Sequence, residues 1–250
     1  MADAPVKRSP RDVPLDSSPM TIARRFTTSF RVRFDEAGTD GALRPSGIVR
    51  FLQDAAWQHT ETVGMGRDWY RERGVGWLAR AIDLRLEGRA GSGETVAIET
   101  AVTGWRRVTS RRTTVVRDAR GAVVATAAVD WALVRADGHP ARIPDEVVAL
   151  APEAGGFEPT KVALPDGPAA LAVPVPVRRM DADPMGHVNN AAYLDLLDET
   201  VARLEPPVIL GAPARLRLEY LRPALPTMRL EGALWLLTGG TTLFFFKWSY

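Results

Sequence analysis

Cysteine is missing altogether from the 250 residues, so neither a disulfide framework nor a thiol nucleophile is available. Lysine is nearly missing as well: Lys7, Lys161 and Lys247 are the only ones, and arginine supplies the rest of the positive charge. A formal net charge of +2 gives no case for a nucleic-acid partner, although arginine-rich patches suit an acidic protein surface or a nucleotide phosphate. The three histidines are dispersed without metal-ligand spacing, so neither a metal nor a cofactor is expected. No apolar run approaches the roughly 20 residues needed to span a bilayer. Met1 to Met20 is rich in Pro, Ser and Asp and lacks a signal peptide's apolar stretch. Residues 1–25 therefore read as a disordered leader, and the protein as cytoplasmic.

What is present is a folded chain with a concealed repeat. A hydrophobic content of 46% over this length accommodates one large domain or two modules sharing a core. Leu84-Arg-Leu-Glu87 recurs as Leu216-Arg-Leu-Glu219, displaced by 132 positions, and the same step carries Thr95 onto Thr227, Ile98 onto Leu230 and Glu99 onto Glu231. Upstream, Ile48, Leu52 and Gln53-Asp54 match Tyr193, Leu197 and Asp198-Glu199 with a displacement of 145. The first copy then holds about 13 extra residues near Gly66 to Gly76. A repeat of this period points to a tandem.

Each copy opens with a strand, Ser29 to Phe34 and Val173 to Arg179, followed by a helix, Ser46 to Val63 and Asn190 to Leu204. Extended segments come next: Trp77–Leu86, Thr95–Trp105, Ser110–Val116 and Val123–Val134 in the first copy, Pro213–Leu221, Met228–Leu237 and Thr241–Tyr250 in the second. That order predicts an α+β fold, a helix wrapped by an antiparallel sheet, twice over. The modules are 26–152 and 173–250, with the Pro-, Gly- and Ala-rich stretch 153–172 as linker. Nothing in the second copy matches Val123–Val134. Either that module tolerates an incomplete sheet or the chain lacks a segment.

Chemistry concentrates in Asp181-Ala-Asp183-Pro-Met-Gly186-His187-Val188-Asn189-Asn190-Ala-Ala-Tyr193, where a loop turns into an amphipathic helix. Asp183 and His187 stand beside the positive end of a helix dipole, where a carbonyl oxygen gaining charge is stabilised. A carboxylate there can act as nucleophile or activate water, so the local chemistry suits acyl transfer or hydrolysis. The plainer reading of Asp183 is a loop or capping aspartate. His187 suits orienting water or polarising a carbonyl. Gly186 permits a positive φ or close backbone approach, leaving nearby N–H groups free for substrate. Asn189 and Asn190 cap the helix, hold the loop or contact the ligand. Glu199 faces either this site or solvent.

This segment resembles the active-site segment of hotdog-fold thioesterases. From about Phe26 the chain resembles the fatty acyl-ACP thioesterases of plants and their bacterial relatives. The supporting stretches are Phe30-Arg-Val-Arg-Phe34, Phe51-Leu-Gln53-Asp-Ala-Ala-Trp57-Gln-His59 and Asp130-Trp131-Ala-Leu-Val. The resemblance implies a tandem hotdog that hydrolyses fatty acyl-ACP, with Asp183 as nucleophile or general base assisted by His187 and N–H groups. Acyl-CoA is the alternative thioester, and a non-catalytic acyl-thioester binder the alternative class. The plant pattern has an Asn at the position of Met185 and a further acidic or thiol residue near Pro223, so this chain departs from it twice. In the first module Gly38 and Ala42 stand where Asp183 and His187 do, which makes that half catalytically degenerate. Trp57, Trp69, Tyr70 and Trp77 are candidates for an acyl tunnel or plain core. Arg106, Arg107, Arg111 and Arg112 are a carrier-docking cluster or a solvated strand face. A monomer or homodimer is expected.

Overall fold

The computed structural model describes residues 25–161, 166–167, 169, 171–203, 211–226, 228–236 and 242–249. The leader 1–24, Thr227 and the end of the predicted second helix lie outside them. The first module runs β1 (Phe26–Arg31), α1 (Pro45–Thr62), α2 (Arg67–Arg73), β2 (Val75–Leu86), β3 (Thr95–Trp105), β4 (Thr109–Arg117), β5 (Val123–Arg135) and the short α3 (Asp145–Val148). The second runs β6 (Leu171–Pro176), α4 (Ala192–Val201), β7 (Ala214–Glu219), β8 (Arg229–Leu236) and β9 (Thr242–Ser249). Every predicted strand is present among the described residues, with the ends that can be compared shifted by a few residues, as hydrogen-bonding boundaries commonly are, while the predicted ends Leu237, Thr241 and Tyr250 lie outside them.

α1 begins at a proline, where the missing N–H costs nothing, and its Ile48, Val49, Phe51, Leu52 and Ala55 are buried. They meet the inner face of a sheet in which Ile82, Leu84, Val96 and Ile98 are almost wholly enclosed. Strand alternation delivers those residues inward, as the period of two requires. α4 packs the same way through Ala192, Tyr193, Leu194, Leu196, Leu197 and Val201. It starts at Ala192, two residues after the predicted Asn190, because Asn189 and Asn190 are taken up by the turn that enters it.

One antiparallel sheet has the order β1-β3-β4-β5-β2-β7, and a second has β6-β8-β9. β7 belongs to the second repeat yet extends the first sheet by pairing with β2. In that pairing Leu84 lies opposite Leu216, its own counterpart at the 132-residue step. A local two-fold axis therefore runs between them, as in an isologous dimer interface held within one chain. Two ion pairs straddle the same axis. Arg215 makes a bidentate contact with its counterpart Asp83, at 2.8 and 2.5 Å. Arg50 on α1 meets its counterpart Asp195 on α4 at 2.6 Å, the 145-residue step.

Among the described residues no strand of the second repeat corresponds to β5. The segment read as a linker is partly strapped to the first module. Trp105 N–H donates to Gly155 O at 2.9 Å, Arg106 reaches Phe157 O at 3.0 Å and Arg111 reaches Glu158 O at 2.9 Å. Among the described residues, no helix is long and apolar enough to cross a membrane.

Candidate active site

The segment that enters α4 is a tight turn pinned at both ends. A short 3-10 turn, Arg179–Asp181, leads in, and the buried Asp181 carboxylate accepts from Arg178 N–H at 2.7 Å and from its guanidinium at 2.7 Å. Asp183 N–H donates to His187 O at 2.9 Å, and Gly186 N–H returns to Asp183 O at 2.9 Å. Gly186 sits at φ 79°, the left-handed conformation expected of it. The Asp183 carboxylate accepts from Met185 N–H at 2.9 Å, which fixes one oxygen of the carboxylate. Val188 N–H donates to Ala224 O at 2.8 Å, so the stretch that contains Pro223 does lie beside the turn. Asn189 Oδ1 accepts from Ala191 N–H at 2.9 Å, and Asn190 O accepts from Tyr220 Oη at 2.8 Å. Tyr220 is enclosed against Tyr193, rings 5.3 Å apart, and burial raises its hydroxyl pKa strongly, so it remains a donor.

The N–H of Gly186 itself is spent within the turn. So are those of Asp183, Met185, Val188, Asn189, Ala191 and Ala192. Two remain without a partner among the described residues, those of His187 and Asn190. The first module explains the former. Its turn repeats the second in register: Gly38 N–H to Ala42 O at 2.8 Å, Gly41 N–H to Gly38 O at 2.9 Å, and Gly41 at φ 74°. There, however, Asp40 occupies the position of Met185 and its Oδ1 accepts from Ala42 N–H at 3.1 Å. A thioether accepts only weakly, so the corresponding N–H of His187 is left open.

The tip of the second-module turn meets the first module. Met185, 54% exposed, closes one side of a largely apolar cavity of about 260 Å³ whose other walls come from α1, α2 and the strands β2 to β5. Gln53 and Trp57 face it from α1, Arg67 and Tyr70 from α2, and Trp77, Trp105 and Trp131 from the sheet. Asp183 and His187 lie two residues to either side of Met185 rather than in the cavity wall. A second cavity, about 220 Å³, is bounded by Asp40 with Asp198 and Ala202, the counterparts of Met185, Gln53 and Trp57. The two cavities are thus related by the internal repeat, but only one is closed by the turn that holds Asp183 and His187.

Of the proposed tunnel aromatics, Trp57, Tyr70 and Trp77 line the cavity, whereas Trp69 stands behind, edge-on to Tyr70 at 5.0 Å. Gln53, which sequence reasoning left without a role, lines the same cavity as Met185. Glu199 is not brought to the cavity: it is exposed and pairs with Arg203 at 2.9 Å, one helical turn on. The arginine cluster divides as well. Arg111 is held by Asp130 at 2.7 and 2.9 Å, and Arg112 is buried against His59, which leaves Arg106 and Arg107 as its exposed members. Among the described residues no group of three His, Cys, Asp or Glu side chains could hold a metal ion.

Residues 23–151, just over half the chain, match the family model described as the acyl-ACP thioesterase N-terminal domain. The chain belongs to the acyl-ACP thioesterase family. Family relatives include oleoyl-acyl carrier protein thioesterase 2, chloroplastic, of Arabidopsis thaliana, 25% identical over 197 residues, 70% of this chain and 54% of that one. The counterpart in Coriandrum sativum is 23% identical over 199 residues, covering 71% of this chain and 54% of the relative. This chain thus spans about half the length of the curated relatives it matches. In structure it resembles an acyl-ACP thioesterase from Bacteroides thetaiotaomicron, with TM-score 0.75, 18% identity, and coverage of 92% and 94% of the two chains. The 12:0-ACP thioesterase from Umbellularia californica gives TM-score 0.67 at 22% identity, over 86% and 83%. The family and these likenesses make the fold a tandem hotdog, as its element order required.

Proposed function

We propose that this acyl-ACP thioesterase family member hydrolyses fatty acyl-ACP to free fatty acid and carrier protein, using the turn of the second module against the cavity of the first. The observation that carries the reading is the placement of Met185. It brings the stretch holding Asp183 and His187 to an apolar cavity built by the other half of the chain. An acyl chain in that cavity would leave its thioester carbonyl near the turn. Asp183, with one oxygen fixed by Met185 N–H, takes a proton from water as that water attacks the carbonyl carbon. The C=O pair moves onto oxygen, and the N–H groups of His187 and Asn190 are the donors left to meet it. Collapse restores the carbonyl, breaks the C–S bond and returns the proton to the thiolate. His187 orients the attacking water. The alternative in which Asp183 attacks directly uses the same carboxylate and the same oxyanion donors. Val188 and Asn189 then act by holding the turn, their N–H groups being spent on Ala224 and Asp181.

A matched assay tests the proposal: release of the same fatty acid from acyl-ACP and from acyl-CoA. The expected result is a higher kcat/KM on acyl-ACP. Faster turnover of acyl-CoA would replace the carrier assignment, and no hydrolysis of either thioester would refute the activity.

A further inference from the structure

The cavity beneath the turn carries a charge that its surroundings do not match. Arg112 points inward from β4 and is only 7% exposed. Its hydrogen-bond partner among the described residues is the His59 ring, with Nη1 and Nδ1 2.8 Å apart. Because guanidinium only donates, that Nδ1 is the unprotonated acceptor, so this contact supplies no negative charge. Arg111, the next residue on the strand, takes the buried carboxylate of Asp130 on the opposite face, and Arg112 makes no ion pair with a described carboxylate. Burial lowers the Arg112 pKa to about 10, which keeps it charged at neutral pH. A second donor stands in the same wall. Trp131 on β5 also borders the cavity, and its buried indole N–H has no partner among the described residues. Buried donors are normally satisfied, and a buried cation without an anion is especially costly. Neither group finds an acceptor oxygen among the described residues, yet both border the same largely apolar cavity.

We propose that Arg112 and Trp131 form a subsite for a hydrogen-bond-accepting oxygen carried on the acyl chain itself, so that the preferred substrates are oxygenated acyl thioesters rather than plain hydrocarbon ones. The inference rests on the cavity being the acyl site of the proposed thioesterase. Oxo, hydroxyl and carboxylate oxygens share the required chemistry. A chain oxygen seated there satisfies the guanidinium and the indole together, and a plain chain leaves both dry.

The test compares decanoyl thioesters that are unsubstituted, carry an oxo or hydroxyl group at successive carbons, or end in a second carboxylate. Hydrolysis is followed with the full chain, and binding of the matching free acids is followed by tryptophan fluorescence. A charged, buried hydrogen bond is worth about tenfold or more in affinity. At least one oxygenated chain should therefore exceed the plain chain by about tenfold in kcat/KM and in binding. That ratio should fall toward one in Arg112→Met and drop in Trp131→Phe, which removes only the N–H from an aromatic ring. A best substrate with a neutral oxygen or one with a carboxylate would each support the subsite and name its guest. A wild-type preference for the plain chain would overturn it. So would a ratio unchanged in both variants, including a uniform loss on every chain, because the donors would then serve the pantetheine arm or the fold. If no thioester is hydrolysed but oxygenated acids still bind about tenfold more tightly, the catalytic reading fails and the subsite stands.

Discussion

At the scale of single residues, the contrast between Asp40 and Met185 carries more chemistry than the contrast between charged and uncharged loops. Both positions sit at the same point of the same turn, and in one the side chain accepts from the N–H two residues on while in the other it leaves that N–H open. Restoring the acceptor should therefore cost activity. If the proposed activity holds, Met185→Asp should lower kcat by roughly 10²-fold, the scale of losing an oxyanion donor, while Met185→Leu should stay close to the parent protein. Steady-state kinetics on an acyl thioester check this, and equal rates for the two variants would remove His187 N–H from the mechanism. The sequence made the turn itself legible, because the Asp, Gly and His spacing and the loop-to-helix transition are local. It did not reveal which N–H groups remain open, since that depends on Ala224 arriving from 36 residues downstream to take Val188. Nor did it reveal that Arg111 and Arg112 part company. On a strand, consecutive side chains leave by opposite faces, and reading the pair as one surface cluster overlooked that period.

Among elements, the decisive asymmetry is the insertion between α1 and β2. The extra residues form α2, whose Arg67 and Tyr70, with Gly76 and Trp77 beyond, wall the cavity that Met185 closes. The repeat step of 145 before the insertion and 132 after it announced that element, but its role as a wall needed the fold. The junction of β2 with β7 is the second consequential feature. Asp83 is held by Arg215 and Arg217, and the Arg215 hydrogen bond keeps its carboxyl below the usual range. A lowered folded pKa means that the pair stabilises the fold above the unfolded carboxylate value, about 4. That stability is lost as pH falls through the lowered value. Both arginines are about half exposed, so the contribution is no more than about 1 kcal/mol. Urea midpoints of the parent and Asp83→Asn should differ at pH 7 and converge as the pH is lowered through the titration of the Asp83 carboxyl. A constant difference across that range would contradict the clamp.

Taken as a whole, the molecule is a pseudo-dimer whose halves have been made unequal. In a symmetric homodimer, positions 83 and 215 would hold identical residues, as would 50 and 195; here each couple is one carboxylate and one arginine in contact. Opposite charges across the axis favour this pairing over a pairing of like modules, which would place like charges together. Light scattering should accordingly report a monomer that retains thioesterase activity. The isolated second module, from about Ala172 onward, should be inactive because its turn then lacks a cavity to close. Activity of that fragment equal to the full chain would show that the halves do not share a site. The most direct measurement on the central claim is single-turnover release of fatty acid from acyl-ACP by the parent chain and by Asp183→Asn, with circular dichroism to establish that both are folded. The account predicts release by the parent and a rate lower by roughly 10²-fold or more in the variant, the scale of a lost general base. Near-parental release by a folded Asp183→Asn protein would contradict it.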